Sequence, residues 1–191
     1  MTRNLIGIVV LVAAVPLLQG CFTVAAFTGM GTAALLASDR RTTGIYIEDE
    51  SIEWKGYARV RELGAGAHVN VTSFNRRVLL TGEAPTEDVK KQLEERVRAI
   101  ENVREVTNEV QLAGVSSFAS RGNDSLITSN VKTRMLNSGK FSPMHVKVVT
   151  EAGVVYLMGL VSTEEGDAAV EIARTTSGVN RVVKVFEYIG K

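Results

Sequence analysis

The chain has 191 residues, with 22 Lys plus Arg against 21 Asp plus Glu, two His and one Cys, and 45% of it is apolar. That length suits one ordinary domain or two small ones, and the composition excludes a disordered or collagen-like chain. A lone cysteine forbids an internal disulfide. Cys21, His68 and His145 are too few for structural zinc, and a near-zero net charge speaks against nucleic acid as a partner, so neither metal nor cofactor is expected.

The first element reads as a secretory signal over residues 1–20. Arg3 supplies a positive head, and the run from Leu5 to Leu18 is apolar but shorter than the ~20 residues a spanning helix needs. It ends in Leu18, Gln19, Gly20, Cys21, which resembles the bacterial lipobox, whose cysteine thiol is diacylated before a dedicated peptidase cuts in front of it. Cys21 is therefore the expected lipid-attachment site and mature N-terminus. Removing Arg3 leaves 21 basic and 21 acidic side chains, so the hold on a membrane is expected to be acyl chain rather than net charge. Phe22 follows Cys21 where an Asp would mark inner-membrane retention in enterobacteria, which points to the outer membrane. The stretch to about residue 44 is rich in Ala, Gly and Thr and reads as a tether.

From about Ile47 the chain repeats itself. At an offset of 77, His68, Val69 and Val71 match His145, Val146 and Val148, Gly82 matches Gly159, and Thr86 with Glu87 matches Thr163 with Glu164. Upstream, Asp49 and Ile52 match Asp124 and Ile127 at an offset of 75. Two copies of one small module are expected, at 45–113 and 123–191, with a linker at 114–122.

Each copy reads α, β, β, α, β. The first helix is expected to open after Asp49 or Asp124; in the second copy Ile127, Val131 and Met135 form its buried stripe. Two β-rich runs follow, Val69 to Phe74 with Val78 to Ala84, and Val146 to Thr150 with Val154 to Val161, each pair joined as a hairpin. The second helix starts at Thr86 in one copy and at a Ser162/Glu165 capping box in the other. A last strand runs Val103 to Leu112 or Val179 to Ile189. A three-stranded sheet this small needs both helices to cover it, so the fold class expected is α+β, with two tandem αββαβ domains. Gly56 stands in the first copy where the second has Val131, which implies a helix that is short, kinked or packed tightly there.

An Asp-led helix with Ile three residues on, a hairpin ending in Leu-x-Gly, an acidic-capped helix and a Val-x-x-Val strand together resemble the BON domain, and two copies behind a lipobox resemble dual-BON outer-membrane lipoproteins. The resemblance implies an outer-membrane address facing the periplasm, anionic phospholipid binding through the second domain, and support of envelope integrity near division sites.

On a wheel of the helix expected from Ser125 to Asn137, Leu126, Ser129, Thr133 and Leu136 share a face away from the buried stripe, flanked by Lys132 and Arg134. Leucines between cations suit a lipid interface; the competing reading packs them on the other domain or caps the core with them. The equivalent helix of the first copy, Ile47 to Gly64, balances at −2 where Asn123 to Lys140 balances at +2, which places membrane contact on the second domain. Trp54 lies on the corresponding face of the first copy and fits lipid, an interdomain contact or a partner. The other function considered is a protein-interaction adaptor for outer-membrane assembly or cell-wall factors. No nucleophile, metal or dinucleotide signature is present, and the two His lack triad partners, so no enzyme activity is expected.

Overall fold

The computed structural model describes residues 39–64, 66–114 and 118–190. The expected signal segment, Cys21 and the tether up to residue 38 lie outside the described residues. Residues 40–191 form one compact unit.

Helix α1 (Thr43–Leu63) starts at Thr42, whose hydroxyl accepts from the Ile45 N–H, and stops at Gly64, whose φ of 58° no β-branched residue adopts cheaply. Strands β1 (His68–Phe74) and β2 (Arg77–Ala84) form an antiparallel hairpin. Its two-residue turn places Asn75 and Arg76 at φ 53° and 63°, the sign of a turn whose twist matches that of the strands. Helix α2 (Glu87–Arg98) is capped by Thr86, whose hydroxyl accepts from the Val89 N–H, with Glu87 and Asp88 in its first turn. Strands β3 (Glu105–Asn108) and β4 (Gln111–Leu112) both run parallel to β2, which puts β2 in the centre of the sheet. The single strand expected from Val103 to Leu112 is thus split in two. Asn108 makes the break by accepting from the Val110 N–H with its own side chain while donating to the Lys90 carbonyl.

The second copy repeats the plan. Helix α3 (Phe118–Ser138) leads into a short 3₁₀ turn at Pro143–His145, the hairpin β5 (Val146–Glu151) and β6 (Val154–Val161), helix α4 (Thr163–Arg174) and strand β7 (Arg181–Tyr188). Ser162 and Glu165 form the reciprocal capping box at α4. The strand order is β5-β6-β7, with β7 parallel to β6. The fold is α+β, two αββαβ units.

Both opening helices begin earlier than their aspartates suggest. Asp49 and Asp124 sit inside α1 and α3, buried, and face the tips of the hairpins. Asp49 accepts from the Asn75 and Arg76 N–H groups and from the Ser73 hydroxyl; Asp124 accepts from the Ala152 and Gly153 N–H groups at 2.9 and 2.8 Å. A turn with both central residues at positive φ points its amide groups inward, and a buried carboxylate from the helix is the acceptor that satisfies them. These aspartates latch helix to hairpin, a role that local helix-start rules cannot reveal.

Gly56 is a tight-packing position in an unbroken helix, because a Cβ there would lie 2.6 Å from Val71 Cγ1. Gly82 and Gly159 are positions of close backbone approach: a Cβ would stand 2.1 Å from the His68 carbonyl oxygen and 2.5 Å from that of His145.

Each sheet buries one face under its own helices and the other against the second sheet. Val71, Val78, Leu80, Leu93 and Val97 fill the first helix-side core, and Val131, Met135, Val148, Leu157 and Ala169 the second. A third cluster joins Phe74 and Leu79 of the first domain to Tyr156, Met158 and Val185 of the second. The two sheets therefore meet back to back, with helices outermost. Polar contacts rim this seam: Lys147 Nζ reaches Glu53 at 2.6 Å and the Ser73 carbonyl at 3.2 Å, Asn75 donates to Glu187 at 2.8 Å, and Arg77 donates to the Phe186 carbonyl at 3.1 Å.

Candidate functional site

The candidate lipid face lies on α3. Ile127, Val131 and Met135 turn inward at 2%, 0% and 1% exposure, so the 3.6-residue period sends Leu126 and Leu136 outward, where they are 65% and 61% exposed. Ser129 and Thr133, between them on the wheel, are exposed as well. The two leucines stand about 15 Å apart along the axis, ten residues at ~1.5 Å each. Neither packs on the first domain nor caps the core.

The cations flanking this face are unequal. Lys132 is exposed as a residue, yet desolvation of its ammonium and then repulsion from Lys147 lower its pKa. Arg134 does not present a free guanidinium beside the leucines, as its spacing suggested. It donates to the Ile172 carbonyl at 2.9 Å, the Thr176 hydroxyl at 2.6 Å and the Thr175 hydroxyl at 3.0 Å. Those groups belong to the last turn of α4 and the residues after it, where unpaired carbonyls and the negative end of the helix attract a cation. Arg134 thus fastens α3 to the end of α4, and Lys132 with Lys140 supplies the exposed positive charge of this region.

Trp54 stands 76% exposed on α1, beside Tyr57, in a shallow cleft bounded by Glu50 and Arg61. It is not on the seam between the domains. Tyr57 beside it is partly exposed at 39%, and desolvation of its hydroxyl raises its pKa.

The two His are equivalent by repeat but not by contact. His68 Nε2 meets Arg121 at 3.1 Å, whereas His145 Nδ1 faces Glu165 at 3.1 Å. No group of three or more metal-ligating side chains is close enough to hold an ion among the described residues. No helix of the described residues is long and apolar enough to cross a membrane.

Sequence reasoning missed the seam and the strap that closes it. The signal for the seam was present: β6 reads Val154, Val155, Tyr156, Leu157, Met158, apolar on both faces, as a strand covered on both sides must be. The strap is Arg40 and Arg41. Arg40 Nη1 donates to the Leu160 carbonyl at 2.8 Å and its Nη2 to Glu165 at 3.0 Å, both in the second domain. Arg41 pairs with Asp49 at 2.9 Å and lies 4.0 Å from the centre of the Phe74 ring, both in the first. Two adjacent arginines thereby hold one domain each.

Two copies of an αββαβ unit, docked sheet to sheet, make up the described chain. The BON-domain family model matches residues 57–114 and again 123–190, and the chain belongs to that family. It is 41% identical over 184 residues, 94% of either chain, to the "Outer membrane lipoprotein DolP" of Haemophilus influenzae. It is 34% identical over 154 residues, 79% of either chain, to the "21 kDa hemolysin" of Actinobacillus pleuropneumoniae. The "Osmotically-inducible protein Y" of Escherichia coli is 25% identical over 150 residues, 76% of this chain and 75% of that one.

Proposed function

We propose that this protein is a non-enzymatic outer-membrane lipoprotein, held by acylated Cys21 and facing the periplasm, whose second BON domain makes an additional contact with anionic phospholipid through the outer face of α3. The observation that carries the reading is the pair Leu126 and Leu136, both more than half exposed on one helix face with Ser129 and Thr133 between them and Lys132 at the flank. Apolar side chains on such a face enter the acyl boundary while ammonium groups meet lipid phosphate. The first domain's helix carries the opposite charge balance and would be repelled by the same surface. The outer-membrane address rests on Phe22, not Asp, following the lipobox cysteine and on the name of the Haemophilus relative.

A covalent anchor and a weak headgroup contact act together, since tethering raises the local concentration of the second contact and lets a feeble affinity bias where the protein sits. Such a bias toward lipid patches is the basis on which a role in envelope integrity near division sites is proposed. The deciding experiment is flotation of a soluble fragment covering residues 40–191 with vesicles of anionic or zwitterionic phospholipid. Binding to the anionic vesicles alone, lost in the Leu126→Asp/Leu136→Asp variant while its circular dichroism is unchanged, is the expected result. Equal binding by that variant removes the assignment.

Trp54 supports a second reading, an adaptor that holds an outer-membrane assembly or cell-wall factor. A tryptophan this exposed, with a tyrosine next to it, is a common anchor of protein interfaces. Loss of partner capture in Trp54→Ala, with vesicle binding intact, would favour it.

A further inference from the structure

The seam between the domains contains a cluster of acids that no lipid or anchor role uses. Glu151, at the end of β5, is only 6% exposed, and Glu83 of β2 is equally buried. They belong to different domains. Asn70 of β1 donates to Glu151 Oε2 at 2.9 Å across the seam. His68 Nδ1 stands 3.6 Å from Glu83 Oε2, too far for a hydrogen bond, and neither atom has a hydrogen-bond partner among the described residues. Helix α3 contributes Asp124, whose carboxylate is engaged by the β5–β6 turn, and Arg121, whose guanidinium meets His68 Nε2 at 3.1 Å. Glu83, Asp124 and Glu151 thus lie around His68 and Arg121 at a cleft along the seam, with Tyr156 and its partner Arg181 nearby.

We propose that Glu151 is an acid-tightened latch between the two BON domains: its protonated form lets them close fully, and its ionised form loosens the seam by repulsion from Glu83 and Asp124. The geometry imposes a penalty at neutral pH, because a carboxylate only 6% exposed and close to two others is poorly solvated even at the edge of a cleft. One amide donor from Asn70 offsets only part of that cost.

The direction of titration agrees. Burial raises the Glu151 pKa most, the Asn70 amide opposes it, Glu83 and Asp124 add to the rise, and His68 lowers it. A folded-state pKa above the unfolded one means that the proton binds the closed form more tightly. Stability is therefore gained as pH falls through the folded value, the reverse of the usual carboxylate behaviour. His68 also faces this corner, between Glu83 and Arg121, so the test isolates Glu151 by substitution.

The experiment measures thermal midpoints of the full acylated chain in detergent micelles from pH 7.5 to pH 5 for wild type, Glu151→Gln, Asn70→Asp and the double variant. Glutamine keeps an acceptor for Asn70 and removes the charge. Expected is a Glu151→Gln midpoint above wild type at pH 7.5 by about 2–4 °C, with the gap closing toward pH 5. Asn70→Asp, which adds a fourth acid from the other domain, lowers the midpoint at pH 7.5, recovers on acidification, and costs less when Glu151 is already Gln. A wild-type to Glu151→Gln gap that stays constant with pH overturns the latch. So does strict additivity of the two substitutions, which would mean that Glu151 titrates without sensing the first domain.

Discussion

Arg40 and Glu165 are bonded across 125 residues of sequence, the guanidinium donating from both terminal nitrogens to the one carboxylate. The same carboxylate accepts from the Ser162 N–H at 2.8 Å and faces His145, so the cap of α4, the end of the tether and the loop before β5 share a single acid. Burial alone would raise the Glu165 pKa, but Arg40, the Ser162 amide and His145 outweigh it and hold it at about 2. A depressed folded-state pKa contributes stability that is complete above the ordinary glutamate range and lost as pH falls toward 2. Arg40→Ala should therefore cost about 1–2 kcal/mol at pH 7, with a penalty that shrinks at pH 3. Urea midpoints at the two values check this, and an equal loss at both would refute it.

Asp124 makes a stronger demand. Its two oxygens satisfy two amide groups of the β5–β6 turn, one of them fully buried, and Ala152 there already has a positive φ of 50°. Asp124→Ala should destabilise by about 3 kcal/mol or more, since two inward N–H groups lose a charged acceptor. Asp124→Asn, which keeps one oxygen, should cost clearly less. Equal unfolding midpoints for the two variants would show that the latch acts by packing alone.

Gly56 and Val71 form a pair that one substitution should break and a second repair. Alanine in a helix interior normally gains about 1 kcal/mol over glycine. Here the added methyl meets Val71 Cγ1 at 2.6 Å, and Val71 is 1% exposed with little room to move. Gly56→Ala should be destabilising by about 1–3 kcal/mol, and adding Val71→Ala should recover part of the loss despite emptying core volume. Purely additive costs in calorimetry would mean that the clash is absorbed elsewhere.

The seam predicts cooperativity between the domains. Leu79 is fully buried against Tyr156 and Met158 of the other domain. Leu79→Asp buries a charge there at a cost of several kcal/mol, and unfolding monitored by Trp54 fluorescence should separate from a signal of the second domain. Coincident transitions in that variant would show that the domains are coupled by other contacts.

Arg134 separates a lipid role from a structural one. Because its guanidinium is committed to Ile172, Thr175 and Thr176, Arg134→Gln should lower the unfolding free energy by about 1–2 kcal/mol and leave vesicle binding nearly unchanged. Lys132→Gln should do the opposite. Reversed outcomes would restore Arg134 to the lipid face.

The sequence by itself determined what is local or periodic. The duplicated pattern set two αββαβ units, the Thr86 and Ser162 caps set the second helices, and the spacing of Ile127, Val131 and Met135 put Leu126 and Leu136 off the buried stripe. These follow from the backbone periods and from hydrogen bonds within four residues, which the order of residue types fully specifies. Only the tertiary structure decided that Asp49 and Asp124 hold hairpins and do not start helices, that Arg134 fastens a helix end, and that Glu151 meets Asn70. Such contacts join residues tens of positions apart, and which polar atom finds which partner depends on how the sheets dock, a choice made by shape and burial after the local elements already exist.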